Sequence, residues 1–437
     1  MKINAGFIFH NVGQGLFYTG EIELDNTKTF RFIYDCGSQS VRNVNRSIMN
    51  FKKANEWDGI DLLILSHLHK DHVNGLDKLF NEYEVNQVIL PYFSPEERLF
   101  IALRNINKQD WYYRFLSDPV EFFIEEKKVE KVIIITGRDE GEGEEDDDNQ
   151  FDDDFSPEEK EYEETKDKID LNRMPDDDSN ISENENWGKY KKDGKLFIKK
   201  HNRYATVFGL WIFRFFNYKV SKANLKDFRK CLFKTIENLK GEYETGNLTH
   251  DYSEKIKEVI KNKEDREKLK KCYNLFERNL KDFNNTSLIL YHGPVRKSHL
   301  SRVSSFYRCL RSCAYSYCCR CCENGSIFIP HSEDVNQVGQ FLTGDVNLNV
   351  RYEEIKKHYK NYLNNVLVGQ VPHHGSKYNW NDKLLNDTPN SKIWVVSAGI
   401  LYEKHPSKKV RCDIKKNKKL IIANEIKCFS MDFFYSI

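Results

Sequence analysis

The stretch from Ile60 to Gly75, IDLLILSHLHKDHVNG, constrains this chain more than any other. Its apolar run, Asp61 to Leu65, predicts a buried strand that leads into a polar loop and then, from Val73 to Phe80, a helix. Four metal-binding side chain types fall within six positions of that loop: His67, His69, Asp71 and His72. Because strand side chains alternate with a period of two, the first two histidines point the same way.

This spacing favours a site for two divalent cations. Four such side chains repel one another or compete for solvation unless positive charge lies among them. Histidine and carboxylate without thiolate suit zinc, manganese or iron, and two adjacent sites suit activation of water for hydrolysis. A structural zinc site would more often be closed by cysteines, and none lies nearby. A merely solvated cluster would not explain the spacing H-x-H-x-D-H after an apolar strand.

Further ligand-type residues follow predicted strands near the carboxyl end of the chain. They are Asp345 after FLTG, His373 and His374 after the strand Leu367 to Val371, and His405 beyond the strand Trp394 to Ser397. Any one of them alone would be read as a surface residue. Three strand ends that repeat the pattern favour one shared site at an edge of the sheet.

Two features near the N-terminus have alternative interpretations. Asp35, at the end of FIYDCGS, is either a turn cap or a carboxylate that orients a ligand histidine. The glycines of NVGQG, residues 11 to 15, allow either an ordinary hairpin or a close approach of the backbone to a site.

Composition divides the 437 residues into parts, although the net charge is only +1. Residues 139 to 186 are acidic and poor in large apolar side chains, so we expect a disordered insert that cannot offset its ordering entropy. Strands alternating with helices predict an α/β fold. The predicted parts are 1–137 and 284–437 as two halves of one domain, 138–190 as the acidic insert, 191–218 as core strands and 219–283 as an amphipathic helical insert.

Cysteines are concentrated in one loop, predicted at 302–324. Eleven cysteines in a chain of this length favour reduced thiols over a disulfide framework. Six lie within fourteen positions: Cys309, Cys313, Cys318, Cys319, Cys321 and Cys322. Their spacing is not that of paired C-x-x-C knuckles, so a hairpin with reduced thiols is favoured over a separate metal site. This loop and the acidic insert are the segments that we expect to contact a protein partner.

No membrane segment is predicted. The opening MKINAGFIFH reads as a strand rather than a signal peptide, and no apolar run approaches the roughly 20 residues needed to cross a bilayer. We therefore expect a cytoplasmic protein.

Together these motifs resemble the metallo-β-lactamase fold. The resemblance rests on the H-x-H-x-D-H loop, Asp35 and Gly344-Asp345. More narrowly, NVGQG, SLIL at 287–290, LTGD, VPHHGS at 371–376 and SAG with HPS at 397–407 resemble the hydrolase domain of ComEC-like proteins. The resemblance covers roughly residues 1–95 and 284–412.

It implies a four-layer αββα sandwich with two divalent metal ions, zinc or manganese, at one edge of its sheets. The implied ligands of one metal are His67, His69 and His374. Those of the other are Asp71, His72 and His405, with Asp345 bridging. His373 is the alternative ligand to His374. If it does not bind a metal, it would orient the ligands without contacting the ion, as Asp35 would.

The function predicted from these residues is metal-dependent hydrolysis. Asp71 would orient the attacking water, Asp345 would hold both metals, and His373 or Lys377 would protonate the leaving group. A phosphodiester in nucleic acid, DNA or RNA, or in a nucleotide is the favoured substrate. Asn11 and Leu16 replace aspartates common in relatives, which weakens the transfer of substrate specificity. The alternatives are a small ester, lactone or phosphocholine-type substrate, and a metal-binding interaction subunit of a multiprotein system.

Overall fold

The computed structural model describes most of the chain. The described residues are 2–104, 109–138, 168–177, 179–201, 203–219, 222–236, 239, 249–276, 286–295, 304–308, 326–328 and 338–436. The acidic residues 139–167 and the six clustered cysteines lie outside the described residues. The predictions made for those two segments therefore stay predictions.

Strands and helices alternate through the first half of the chain. The strands are β1 (Lys2–Phe9), β2 (Phe17–Leu24), β3 (Lys28–Cys36), β4 (Gly59–Ile64), β5 (Glu84–Pro91), β6 (Lys131–Thr136), β7 (Ile169–Asp170), β8 (Leu196–Lys200), β9 (Tyr204–Val207), β10 (Trp211–Phe216), β11 (Ile289–Pro294), β12 (Ser304–Arg308), β13 (Ser326–Phe328), β14 (Gly339–Leu342), β15 (Val366–Gln370), β16 (Ile393–Ser397), β17 (Lys419–Ala423) and β18 (Phe429–Ser436). The helices are α1 (Val41–Ala54), α2 (Lys70–Val73), α3 (Leu76–Glu82), α4 (Pro95–Arg104), α5 (Asp110–Ser117), α6 (Pro119–Glu121), α7 (Ile181–Asn184), α8 (Gly188–Lys192), α9 (Lys222–Thr235), α10 (His250–Lys261), α11 (Lys263–Phe276), α12 (Tyr352–His358), α13 (Lys360–Leu363), α14 (Lys383–Asp387) and α15 (Lys408–Lys415), with a π-helical turn at Phe122–Glu126 and a 3₁₀ turn at His373–Gly375.

Two large mixed sheets form the centre of the described chain. The first has the order β13-β12-β18-β1-β2-β3-β4-β5-β6-β8, and its strands from β3 to β8 are parallel. The second has the order β17-β16-β15-β14-β11-β10-β9-β7, with β14 to β17 parallel. A backbone hydrogen bond from Leu288 N to Ser66 O, 2.7 Å, joins the sheets where β4 ends. The carboxyl ends of β3, β4 and β14 to β16 therefore share one edge.

Three separate apolar clusters define four layers. Strand β4 is buried on both faces because consecutive apolar residues alternate between two of them: Leu63 and the following Leu65 pack in the helical cluster, whereas Leu62 and Ile64 face the second sheet. The third cluster packs α12 and α15 on the outer face of the second sheet. The fold is thus the αββα sandwich that the resemblance implies.

The helical insert packs on the first helical layer through apolar and charged contacts. Leu232 and Ile256 belong to the same apolar cluster as β4. Lys257 Nζ lies 2.7 Å from Asp118 Oδ2, and both side chains are buried. Arg229 makes two hydrogen bonds of 2.6 Å to the buried Glu96. The insert is therefore part of the folded body, because these buried charges need their partners across the interface.

Part of the segment assigned to the disordered insert is ordered. Residues 168–190 contain β7, α7 and α8, and they place Trp187 and Tyr190 in the core. Glu185 is fully buried and lies 2.6 Å from Arg98 Nη2. These few anchoring side chains hold this part of the predicted insert against the core despite the acidic composition around it.

The expectation of reduced cysteines is wrong at one pair. Cys231 of α9 and Cys272 of α11 form a disulfide, with their Cα atoms 5.8 Å apart. The two helices pack side by side, which brings both residues within the usual range for such a bond. Spacing along the sequence, 41 residues, did not reveal this proximity. Separately, no described helix is long and apolar enough to cross a membrane.

Candidate metal centre

The H-x-H-x-D-H loop leaves the carboxyl end of β4 at the shared edge of the two sheets. His67 and His72 are buried there with Asp345, which follows β14. Ligand-type atoms of these three residues all lie within 4.8 Å of one another. The Nε2 atoms of both histidines and Asp345 Oδ1 are buried without a hydrogen-bond partner in the described part of the chain. His72 Nε2 lies 3.3 Å from Asp345 Oδ1. Buried imidazole nitrogens and carboxylate oxygens that converge in this way are the groups that a bound cation satisfies.

The opposite ring nitrogen of His72 is held by a buried carboxylate. Asp35 Oδ2 lies 2.7 Å from His72 Nδ1, and it accepts the Ser66 hydroxyl at 2.5 Å. The Ser66 backbone N–H donates to Asp35 Oδ1 at 2.6 Å. An imidazole whose Nδ1–H is engaged in this way presents the lone pair of Nε2 to a cation. Asp35 thus lies where a carboxylate that orients a ligand histidine is expected, not at a simple turn.

His67 is oriented by two serines. Ser66 Oγ lies 2.9 Å and Ser287 Oγ 3.4 Å from His67 Nδ1. Ser287 Oγ also accepts the backbone N–H of Asp345 at 3.2 Å. Ser287 therefore connects the loop after β4 with the carboxylate after β14, across the two sheets.

A second group of ligand-type atoms adjoins the first. Asp71, His72 and His374 each offer one atom within 4.8 Å of the others. His374 Nε2 is 3.4 Å from Asp71 Oδ2, while its Nδ1 lies 2.9 Å from the carbonyl oxygen of Ser397. Because a carbonyl oxygen can only accept, His374 carries its proton on Nδ1 and leaves Nε2 facing Asp71. Gln39 Nε2 donates to Asp71 Oδ2 at 2.8 Å.

The remaining predicted residues lie around these two groups. The ring centre of His69 is 4.8 Å from that of His67. His373 Nε2 lies 3.8 Å from Asp345 Oδ2, and its side chain is 32% exposed. His405 follows on the neighbouring loop, where Ser407 N donates to Gly375 O at 2.9 Å. None of these three histidines enters the two compact groups found among the described residues.

Two details differ from the ligand sets implied by resemblance. His374 meets Asp71 and His72 rather than the first histidine pair. Lys377 is exposed, with Nζ 4.9 Å from the centre of the Tyr378 ring, and no described contact joins it to the site.

The backbone at the site adopts unusual conformations. Asp35, His373 and His374 have positive φ angles of 57°, 46° and 54°, which side chains other than glycine rarely adopt. Such conformations cluster at sites where the surrounding structure holds them in place. In NVGQG, position 15 requires glycine, because a Cβ there would overlap the carbonyl oxygen of Gly37.

The charges of the site perturb its histidines in opposite directions. Burial, and then the charge of His72, holds the pKa of His67 well below its ordinary value of 6.5. Burial also opposes protonation of His72, but the carboxylates of Asp345 and Asp35 raise its pKa well above 6.5. Burial and then Arg104 lower the pKa of His69 to about 3. Without metal, His72 is therefore protonated at neutral pH, and a cation bound at its Nε2 would displace that proton, because only the neutral imidazole is a ligand.

Several supporting residues were missed from the sequence. These are Ser66, Ser287, Gln39 and Ser397. A serine or glutamine carries no distinctive spacing, and three of the four come from distant elements. Ser287 and Ser397 lie in the motifs SLIL and SAG, and Ser66 lies directly before His67, so their positions could be singled out from the sequence but not their contacts.

Comparisons with known proteins agree with this geometry. A sequence profile described as the metallo-beta-lactamase superfamily matches residues 22–154, which include the H-x-H-x-D-H loop. The chain has a metallo-β-lactamase fold.

Two similar proteins share little of their sequence with this chain. An uncharacterized protein of Methanocaldococcus jannaschii is 25% identical over 122 residues, which are 28% of this chain and 45% of that protein. Among solved structures, a long form RNase Z from yeast aligns with a TM-score of 0.33 and 10% identity, over 97% of this chain and 41% of that one. The chain thus spans less than half the length of each.

Proposed function

We propose that this metallo-β-lactamase fold chain is a dinuclear metal-dependent hydrolase that cleaves phosphodiester bonds in nucleic acid or nucleotides. The observation that carries the proposal is the convergence of three buried atoms that make no described hydrogen bond, His67 Nε2, His72 Nε2 and Asp345 Oδ1, of which the last two lie 3.3 Å apart. A buried polar group without a partner costs about 1–3 kcal/mol, so three at one point favour a ligand that satisfies them.

The donor set fits divalent zinc or manganese. Imidazole nitrogens and carboxylate oxygens in two adjacent groups, without thiolates, are the ligands expected for a pair of such ions. His67, His72 and Asp345 would hold one ion. Asp71 would hold the other together with His72 or His374, and His69 and His405 are proposed as additional ligands. When bound, such a pair supplies a nucleophile at neutral pH and stabilises charge on the phosphoryl oxygens.

The side chains of this chain have separable tasks in that reaction. Asp35 and the Ser397 carbonyl fix the ring orientations of His72 and His374. Asp71, held by Gln39, orients the attacking water.

The leaving group needs a proton as its bond to phosphorus breaks. His373 is partly exposed and faces Asp345, so we assign the transfer of a proton from Nε2 to the leaving oxygen to His373. Lys377 is the weaker choice because its described contact is with Tyr378. The ComEC-like subgroup and the cytoplasmic location stay predictions.

The test compares hydrolysis of single- and double-stranded DNA, RNA and bis(p-nitrophenyl) phosphate, with zinc or manganese. Asp71→Ala and His72→Ala should each lower kcat by more than about a hundredfold, since both remove site groups. His250→Ala, an exposed histidine at the start of α10, is the control and should leave kcat unchanged.

Activity that survives both site variants would refute the residue assignment. A chain that binds metal but hydrolyses none of these substrates would instead favour an interaction subunit.

A further inference from the structure

Exposed hydrophobic side chains are concentrated at the edge that carries the metal centre. Eight large hydrophobic side chains are exposed among the described residues, and seven of them follow the carboxyl ends of β3 and of β14 to β17. β17 runs parallel to β16, so its end lies at the same edge. Single exposed hydrophobic residues are ordinary on a protein surface, whereas a group of them around one site indicates a binding surface. We define the apolar rim as these seven residues: Val41, Val350, Tyr378, 400–402 and Ile426.

Tyr378 is tied to the loops that form the metal centre. Its backbone N–H donates to Ser376 Oγ at 3.3 Å, and its carbonyl oxygen accepts from Asn349 Nδ2 at 2.8 Å. The next residue, Asn379, donates from Nδ2 to the carbonyl oxygen of Asp345 at 3.2 Å. These bonds fix the backbone of Tyr378 beside the centre, while its side chain is 72% exposed.

Tyr402 lies on the neighbouring loop. Its carbonyl oxygen accepts the backbone N–H of His405 at 2.8 Å, and its ring lies where a Cβ on Gly399 would meet it. The bond from Ser407 N to Gly375 O, 2.9 Å, joins this loop to the one that carries the first tyrosine. The Tyr402 side chain is 42% exposed, so two accessible rings border the same site.

A positive charge accompanies the first ring. Lys377 Nζ lies 4.9 Å from the centre of the Tyr378 ring, within the range of a cation–π contact. Because the lysine approaches one face of a largely exposed ring, the opposite face is open to a planar group. An exposed aromatic ring beside a cation is the combination with which proteins bind unpaired nucleic acid strands. An acyl chain would gain from the apolar area but not from the ammonium group.

We propose that Tyr378 and Tyr402 stack on bases of a single-stranded nucleic acid whose scissile phosphodiester lies at the metal centre. The inference rests on the proposed function and names its substrate class. Bases inside a duplex are covered by their neighbours, so only an unpaired strand presents a base face to these rings. Lys377 then pairs with an adjoining phosphate, which is a binding role rather than the transfer of a proton.

The test measures Kd of the zinc-loaded full chain for two labelled probes. One is a single strand of about 12 deoxythymidines with a cleavage-resistant phosphorothioate backbone. The other has the same length and backbone but carries abasic sugars, so it keeps every charge and lacks every base. Tyr378→Ala should raise Kd for the first probe about tenfold, because stacking on one base is lost, and should leave Kd for the abasic probe unchanged.

Two further variants separate the ring from its surroundings. Tyr378→Phe keeps the aromatic face and should keep the wild-type Kd, whereas Tyr402→Ala should act like Tyr378→Ala. The matched control is Leu275→Ala, which removes a side chain that is 67% exposed near the end of α11, outside the rim. Its Kd for both probes should equal that of the wild type, as should the zinc content of every variant.

An unchanged Kd in Tyr378→Ala, or an equal rise for both probes, would overturn the proposal. So would a shift from dimer to monomer in Tyr378→Ala by light scattering, since the rim would then be an interface between copies of this chain.

The proposed hydrolysis and the proposed stacking fail separately. If the wild-type chain cleaves nothing but Tyr378→Ala loses affinity for the strand with bases alone, the hydrolysis fails and the stacking stands. If the wild type cleaves single strands and Tyr378→Ala has the same KM and Kd, the stacking fails and the hydrolysis stands.

Discussion

Replacing Asp35 by asparagine tests whether this carboxylate orients the metal centre. Its two oxygens accept from Ser66 N, Ser66 Oγ and His72 Nδ1 at 2.5–2.7 Å. Asparagine keeps one accepting oxygen and turns the other position into a donor, so at least one of these three contacts is lost. Removing a group that orients a metal-binding histidine weakens metal binding about 10–100-fold, or roughly 1.4–2.8 kcal/mol.

The assay is zinc affinity measured by competition with a chromophoric chelator, on protein shown to be folded by its melting curve. Asp61→Asn is the matched control, because Asp61 accepts the Arg31 backbone N–H at 2.8 Å and pairs with Lys168 at 2.8 Å near the start of β4. That variant should bind zinc as the wild type does. A folded Asp35→Asn protein with unchanged zinc affinity would refute the assigned role of Asp35.

Five further outcomes are expected. His374→Ala should lower zinc affinity at least tenfold by isothermal titration, whereas His373→Ala should retain zinc and lose kcat. Burial raises the pKa of Glu97 from 4.5 to about 7, so its ionisation costs up to roughly 3 kcal/mol of stability as the pH rises from about 4.5 through 7. Glu97→Gln should flatten that decline in urea unfolding. Deleting residues 140–165 should leave the melting temperature unchanged, whereas deleting 140–187 should lower it sharply, because the buried ion pair of Arg98 loses its partner.

The centre of the fold could be predicted because its signals are local. The continuous apolar run of β4 and the close spacing from His67 to His72 both lie within sixteen residues. The four-layer sandwich that the resemblance implies is confirmed.

Features that depend on distant contacts were not predictable in the same way. Arg98 and Glu185 lie 87 residues apart, and the sequence around neither residue indicates a buried ion pair. The predicted helical insert contains two helices between residues 250 and 276, α10 and α11, which meet at Asn262. The three- and four-residue spacing of apolar side chains continues across Asn262, so periodicity alone does not locate the break between the two helices.

The choice between His373 and His374 shows what the structure adds. Both histidines occupy the same motif and are adjacent, so spacing treats them alike. Only the Ser397 carbonyl, supplied by β16, fixes the tautomer of His374 and directs Nε2 toward Asp71. The ligand roles themselves stay predictions until a metal is measured.

Metal stoichiometry is the most direct test of the central claim. After loading with zinc and removal of free metal, elemental analysis should find about two equivalents per chain, as a dinuclear site requires. The double variant His72→Ala with Asp345→Ala should retain less than one, while His250→Ala should retain about two. A wild-type chain that binds no zinc or manganese, or a double variant that still binds two equivalents, would contradict a metal centre at these residues.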